Sequence, residues 1–185
     1  MASEKTKSVI IVSVVVLVAL LVLGGLTFVG LKLRAQSARK RALAELKASN
    51  PVEYYLLHTP MTLTDEQLRS GLVGTWQMKG LMNRQTGDFI FLPEHNGYFK
   101  TWTLTNWFIV TYDQYSNALY TAGGHYTLAG DNYTESIETG TGLMERSVGA
   151  HPKYKIRLDG NMYYQMSAKP PRNGNPLEEM WQRVE

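Results

Sequence analysis

The pattern of apolar and polar positions changes twice along this chain and divides it into three parts. Residues 8–31 are almost wholly apolar, with Ser13 and Thr27 among the few exceptions. About 20 apolar residues are enough to cross a bilayer core about 30 Å thick, and such a run must be helical because lipid offers its backbone no partners. The pattern therefore predicts a transmembrane helix over 8–31, after a short tail over 1–7, with the lipid bilayer as its partner.

A cleaved signal peptide is the main alternative for this apolar run. Its apolar core would span about 7–15 residues and would lead into a small-residue cleavage site. Here the run is longer, and Lys32 and Arg34 come before the small residues at 35–38. We therefore expect an uncleaved, single-pass anchor.

The second part, residues 32–71, is predicted to be a basic helical stalk and linker. Residues 32–48 are rich in helix formers, and Asn50-Pro51 should end that helix because the residue before proline disfavours helical geometry. The segment 54–57, Tyr-Tyr-Leu-Leu, is too apolar for a free linker and should pack against the domain or a partner. Thr64 and Gln67 fit a capping box, which predicts a short helix over about 65–70 that stops at Gly71.

The third part, residues 72–185, alternates between apolar and polar positions with period two, as strands do. Turn residues separate the alternating stretches, and Gly123-Gly124 marks a bend or bulge in the longest of them. The stretches after the opening Gly74-Thr75-Trp76 are 98–104, 107–112, 119–128, 132–138, 154–158, 162–166 and 180–184. About eight or nine short strands without a long helix between them predict a mainly β fold, either an antiparallel closed barrel or a sandwich.

Charge and cysteine content narrow the partners. The basic residues that follow the apolar run are Lys32, Arg34, Arg39, Lys40, Arg41 and Lys47. A net charge of +3 does not by itself indicate nucleic-acid binding, and a basic block beside an apolar run suits a membrane surface better. The positive-inside rule would then place the third part in the cytoplasm. The chain has no cysteine, which excludes disulfides, thiolate metal sites and a cysteine nucleophile.

The opening of the third part, Gly74-Thr75-Trp76, resembles the lipocalin and fatty-acid-binding superfamily. Barrels of that superfamily begin with a short helix and a Gly-x-Trp, and an arginine from the last strand packs across the tryptophan to close the barrel. Arg183 stands at the matching place near the C-terminus. The resemblance therefore implies a lipocalin-like barrel over 72–185 in which Gly74, Trp76 and Arg183 are structural.

More narrowly, residues 123–138 and the final Trp-x-Arg-Val are similar to an uncharacterised bacterial lipocalin-like family. The resemblance implies a bacterial chain, so the membrane would be the inner membrane. Members of that family are mostly expected outside the cytoplasm, which opposes the positive-inside rule. The side of the membrane therefore stays open at this point.

Candidate chemistry is sparse. The four histidines show no metal-ligand spacing, so no metal or other cofactor is expected. His125 and Glu135 could form an acid–base pair in a barrel cavity, although a solvated pair is the commoner outcome. Residues of a ligand pocket would come from the aromatic strands together with that pair. These candidates are Tyr98, Trp102, Trp107, Tyr112, His125, Tyr126, Glu135 and Tyr164.

Three functions remain open. We expect a non-enzymatic, membrane-anchored domain that binds a small apolar or amphipathic molecule non-covalently. The alternative is an interaction or scaffold module with a filled barrel, which would use residues 54–57 or the stalk to hold a partner protein. A small enzyme built on His125 and Glu135 is the third reading. Aromatic residues at period two also suit a filled core, so the second reading is a real competitor to the first.

Overall fold

The computed structural model describes residues 32–169 and 175–184. The chain divides into two compact units, residues 1–45 and 46–185. The predicted membrane span over 8–31 lies outside the described residues. Across the part of the chain that is described, no helix combines the length and the apolar character needed to cross a bilayer.

Three α-helices precede the strands in the described chain. Residues 32–49 form helix α1. Over residues 32–45, every residue except Leu43 is exposed. Helix α2 spans Pro51–His58, and Asn50 caps it by accepting a hydrogen bond from the Glu53 amide at 3.1 Å. Helix α3 spans Asp65–Leu72. The stretch 54–57, which seemed too apolar for a linker, is therefore helical and lies within α2.

The capping box predicted for α3 is confirmed. The Thr64 hydroxyl accepts from the Gln67 amide at 3.2 Å, and the Gln67 side chain accepts from the Thr64 amide at 2.9 Å. Gly71 does not stop the helix, because α3 continues to Leu72, whose buried side chain joins the core. Burial of that last turn outweighs the local tendency of glycine to end a helix.

Nine antiparallel strands follow in the described residues. They are β1 Gly74–Met82, β2 Phe89–Phe91, β3 Tyr98–Trp102, β4 Asn106–Tyr112, β5 Ala118–Ala129, β6 Asn132–Gly140, β7 Lys153–Asp159, β8 Met162–Ser167 and β9 Glu178–Arg183. A 3-10 turn, Gly142–Ser147, lies between β6 and β7. Each long stretch of alternating residues that the sequence marked is a strand, and the bulge at Gly123-Gly124 is confirmed by a register shift against β6.

Eight of these strands form a closed barrel. Each pairs with the next along the chain, apart from β2, and β1 pairs with β9 to close the cylinder. The expected antiparallel barrel is therefore confirmed and the sandwich is excluded. This up-and-down arrangement, which lipocalins share, leaves no free edge in the cylinder itself.

The extra strand, β2, was not predicted from the sequence. It is three residues long and pairs with the second half of β1, while β3 pairs with the first half. Phe89, Ile90 and Phe91 show no alternation of apolar and polar residues, so period two gave no signal there.

Helix α3 closes one end of the barrel. Leu68 and Leu72 are fully buried in the barrel core, Asp65 accepts from the Gly130 amide at 2.8 Å, and Arg69 donates to the Leu104 carbonyl at 2.9 Å. The opposite end carries the loops β1–β2, β4–β5, β6–β7 and β8–β9. We call it the open end.

Helix α2 packs on the outer wall of the barrel. Its Val52 and Leu56 join Tyr164 and Met180 in a second apolar cluster, and the Tyr55 ring stacks on the Tyr164 ring at 4.2 Å. The prediction that residues 54–57 pack against the domain is thus confirmed for Tyr55 and Leu56. Leu57 remains 64% exposed.

Candidate ligand sites of the barrel

Large aromatic side chains fill the barrel axis near its closed end. Trp76, Trp102, Trp181, Tyr133 and Tyr163 are each at most 1% exposed. Their rings meet edge to face, for example Trp102 and Tyr163 with centroids 5.1 Å apart. Such T-shaped contacts are favourable for aromatic quadrupoles. This part of the interior is a packed core, so a ligand has no room among these rings.

A buried ion pair sits within the aromatic core. The Lys100 ammonium donates to the Glu135 carboxylate, and both residues are at most 4% exposed. The same ammonium lies 4.8 Å from the Trp102 ring centroid and 5.0 Å from that of Trp107. Cation–π attraction and the carboxylate together compensate for the lost hydration of the lysine. The charge is therefore already matched by the protein's own groups.

A chain of hydrogen bonds continues from this core toward β9. The Tyr163 hydroxyl donates to Gln165 at 2.6 Å, and the Gln165 amide donates to the Glu179 carboxylate at 2.6 Å. The Trp181 indole donates to the same carboxylate at 3.1 Å. Burial raises the pKa of Glu179 to about 7, opposed by the Lys100 charge and supported by the nearby Glu135 charge. This carboxyl group therefore loses its proton near neutral pH rather than near pH 4.5.

The proposed acid–base pair of His125 and Glu135 is wrong. In the β5–β6 register His125 lies opposite Ser136, while Glu135 lies opposite Tyr126, so the two side chains leave opposite faces of the sheet. His125 is on the outer surface with Nδ1 2.5 Å from Glu138, and Glu135 is inside with Lys100. The bulge at Gly123-Gly124 precedes both residues and does not bring them onto one face.

The other pocket candidates are dispersed rather than gathered. Trp102, Trp107 and Tyr126 are buried in the filled core, and Tyr98 packs half-buried against it. Tyr112 is exposed and lines a separate cavity of about 430 Å³ beside the loop before β3. Tyr164 faces outward beneath α2. The structure therefore does not bring these eight residues together in one pocket.

Trp76 and Arg183 meet at the strand pair that closes the barrel. They are register partners between β1 and β9, and the Arg183 guanidinium carbon lies 4.4 Å from the Trp76 ring centroid. The guanidinium also donates to the carbonyls of Gly71 and Val73, at the end of α3. Gly74 has φ +132°, a conformation that favours glycine, and starts β1 just after that helix. These contacts tie the closing strand to the capping helix.

A cavity of about 550 Å³ opens at the other end of the barrel. Its inner wall includes Tyr154, an interior residue of β7 that packs on Tyr133 at 6.1 Å, and Leu177 before β9. Its outer rim carries basic side chains from three separate segments. They are Arg84 after β1, His151 and Lys153 at the start of β7, and Lys169 after β8. No carboxylate is among the described residues that line it, so the rim favours an anion.

The sequence missed Lys100 and the basic rim for different reasons. Lys100 shares a strand face with Tyr98 and Trp102. A lysine between two aromatic residues on the inward face of a strand predicts a buried charge, so this residue could have been identified from the alternation. The rim residues belong to turns and strand ends far apart in the chain, so only the closed topology brings them together. Over the described residues, no cluster of histidine and carboxylate side chains is suited to hold a metal ion.

Comparison with known proteins yields structural likenesses and a family. One solved structure, described as a lipocalin-like protein from Bacteroides uniformis ATCC 8492, is 11% identical, with a TM-score of 0.46 over 62% of this chain and 99% of that one. Another, an uncharacterised protein from Bacteroides eggerthii DSM 20697, is 10% identical, with a TM-score of 0.43 over 61% of this chain and 99% of that one. The search of curated proteins finds no match. The family model described as "Domain of unknown function (DUF4488)" matches residues 71–185, most of the chain and the whole of the barrel, and the protein therefore belongs to the DUF4488 family.

Proposed function

We propose that the barrel binds a small amphipathic molecule with an anionic head at its open end, non-covalently. The observation that carries this proposal is the 550 Å³ cavity with an apolar inner wall at Tyr154 and Leu177 and a basic rim. Ligand pockets of this volume are typically apolar with a few polar groups that fix orientation. The apolar part of the ligand would rest on Tyr154, and its head would meet Arg84, Lys153 and Lys169.

The filled core limits how deep such a ligand reaches. Because Tyr133 and Tyr163 are fully buried beyond Tyr154, the ligand stops at the mouth instead of lying along the barrel axis. This favours short or bent amphiphiles over long straight chains.

Calorimetric titration of the full chain with octanoate tests this site, with octanol as the neutral probe of equal length. We expect octanoate to bind more tightly than octanol, and the Arg84→Glu/Lys153→Glu variant to lose that preference. The Arg39→Glu/Arg41→Glu variant carries the same charge change on α1 and should keep it. Equal affinity for both probes, or equal loss in both variants, would overturn the proposal.

A protein-interaction module is the second candidate, and the filled aromatic core favours it. In that role the barrel would be a rigid support, and residues 54–57 would offer only Leu57 and part of Tyr54, because Tyr55 and Leu56 are held by the barrel wall. If octanoate does not bind at the mouth of the barrel, the protein-interaction module becomes the better assignment.

We further propose that residues 8–31 anchor the chain in a bacterial inner membrane, with the basic block at the headgroups. The support is the length and apolar character of that run and the lysines and arginines that follow it. The full chain should stay in the membrane pellet after alkaline extraction, and a chain lacking residues 1–31 should not. Cleavage of the barrel by protease in spheroplasts would place it outside the cytoplasm, and protection would place it inside.

A further inference from the structure

Another cavity, of about 810 Å³, lies on the outside of the barrel beside helix α2. Its floor is the outer face of β1, β2 and β8, with Met82, Phe89, Phe91 and Met166. Its wall is the chain from 46 to 57, including Leu57. We call this cavity the lateral groove. Helix α2 covers the wall over β7, β8 and β9, and the groove begins where that cover stops.

The charges of the lateral groove are all of one sign. Glu53, Asp88 and Glu178 line it, and no lysine or arginine does so among the described residues. None of the three carboxylates makes an ion pair within 4 Å in the described part of the chain. The open-end cavity has the opposite character, because its charged lining residues are Arg84, Lys153 and Lys169. The charged residues that line the lateral groove and the open-end cavity are therefore opposite in sign.

Glu178 is the residue that marks the groove as a site. Its side chain is buried, with 3% of the residue exposed, and Oε2 accepts from the Asn50 amide group at 2.7 Å. Within the described chain, Oε1 accepts no hydrogen bond. Burial raises the pKa of Glu178, as does the nearby Glu53 charge, while the bond from Asn50 lowers it. A cation in the groove would pair with this carboxylate.

Aromatic rings stand beside these carboxylates. Phe89 and Phe91 meet edge to face with centroids 5.3 Å apart, and Phe91 is 54% exposed although it is strongly apolar. A cation over an aromatic face is attracted by the ring quadrupole, and aromatic rings recognise alkylammonium groups in this way. Met82 and Met166 add polarisable, adaptable surface for an apolar body.

We propose that the lateral groove binds an organic cation with an apolar body, whose ammonium group lies between Glu178, Glu53 and the Phe89–Phe91 ring pair. The groove's volume falls within the range of small-molecule pockets. This assignment does not depend on the anion site at the open end. The two sites share no lining residue.

Titration of the full chain with octyltrimethylammonium tests the assignment, with octanol as the neutral probe. We expect the cation to bind more tightly than octanol. The Glu53→Gln/Glu178→Gln variant should bind it roughly tenfold more weakly, because two carboxylates that face it become neutral. Glutamine preserves the shape and the bond from Asn50, and equal thermal unfolding of variant and parent shows that the fold is kept.

The matched control is Glu66→Gln/Glu94→Gln, which makes the same change in net charge at exposed positions away from the groove. It should leave the affinity unchanged. Equal weakening in both variants would mean general charge attraction and would overturn the proposal, as would equal binding of cation and octanol. Because Arg84→Glu/Lys153→Glu should affect only octanoate, failure of one site is distinguishable from failure of the other.

Other occupants of the groove would show different results. A concentration-dependent dimer of the full chain, lost in Glu53→Gln/Glu178→Gln and seen by sedimentation, would assign the groove to a second copy. A short basic amphipathic peptide that binds when octyltrimethylammonium does not would assign it to a peptide. Either result overturns the small-cation assignment.

Discussion

Lys100 and Glu135 place a full ion pair in the most apolar part of the molecule. Removing two charges from water costs several kcal/mol per ion, and their attraction offsets this only when geometry and surroundings are good. Here four aromatic rings lie within 5.9 Å of the ammonium, and they supply part of the lost solvation. The carboxylate and the rings therefore hold the ammonium together at one place in the core.

Glu179 gives the stability of the protein a dependence on pH that can be assigned to one group. Its folded pKa of about 7 is raised above the ordinary carboxyl value, so the folded state holds this proton more tightly than the unfolded chain. Stability should fall as pH rises from about 4.5 to 7, by up to about 3 kcal/mol from this group. Urea unfolding of the full chain at pH 5 and pH 8, with parent and Glu179→Gln, measures it.

The Glu179→Gln variant should lose this contribution, because its amide has no proton to release. The free energy of unfolding of Glu179→Gln minus that of the parent should therefore be larger at pH 8 than at pH 5. An exposed carboxyl change, Glu94→Gln, serves as the comparison and should follow the parent curve. A constant difference between parent and Glu179→Gln at both pH values would contradict the assignment.

At the scale of elements, the attachment of α2 to the barrel depends on Arg157. Its Nε and Nη2 donate to the carbonyls of Tyr55 and Leu56, at 3.3 and 3.2 Å, in the last turn of the helix. Those carbonyls have no partner within the helix, so the arginine satisfies them and complements the helix dipole. Arg157→Met should lower the free energy of unfolding by about 1–3 kcal/mol and raise amide exchange in residues 51–58.

The control for Arg157→Met is Arg146→Met, a change in the exposed 3-10 turn between β6 and β7. It should leave both stability and exchange in α2 near the parent values. If α2 exchanged equally slowly in both variants, apolar packing of Val52 and Leu56 alone would hold the helix.

Sequence reasoning found the elements where local chemistry decides the structure. The capping box at Thr64 and Gln67 needs only neighbours along the chain, and the alternation of the long strands reports their burial on one face. It missed β2, because three adjacent apolar residues fit strand, helix or loop. It misread Gly71 for the opposite reason, since tertiary burial of Leu72 extends a helix that local propensity would end.

At the scale of the whole molecule, the sites were less predictable than the fold. His125 and Glu135 are close in sequence and on neighbouring strands, yet the pairing register sends them to opposite faces. The basic rim and the lateral groove each combine segments that meet only when β1 and β9 close the barrel. Local periodicity along the chain predicts strands, but it does not show which distant turns will meet around one cavity.

The folding unit of this molecule begins at residue 46 rather than at the first strand. Both apolar clusters lie within residues 46–185, and the Leu46 carbonyl accepts from the Asn50 amide at 2.7 Å. A chain of residues 46–185 should therefore unfold within a few degrees of the full chain. A chain of residues 60–185 would lose α2 and expose Tyr164 and Met180, and it should be less stable by roughly 3–5 kcal/mol, since burial of Val52 and Leu56 contributes about 1.5–3 kcal/mol each. Thermal and urea unfolding of the three chains decides this, and equal stability of the two shorter chains would show that α2 is an appendage rather than part of the fold.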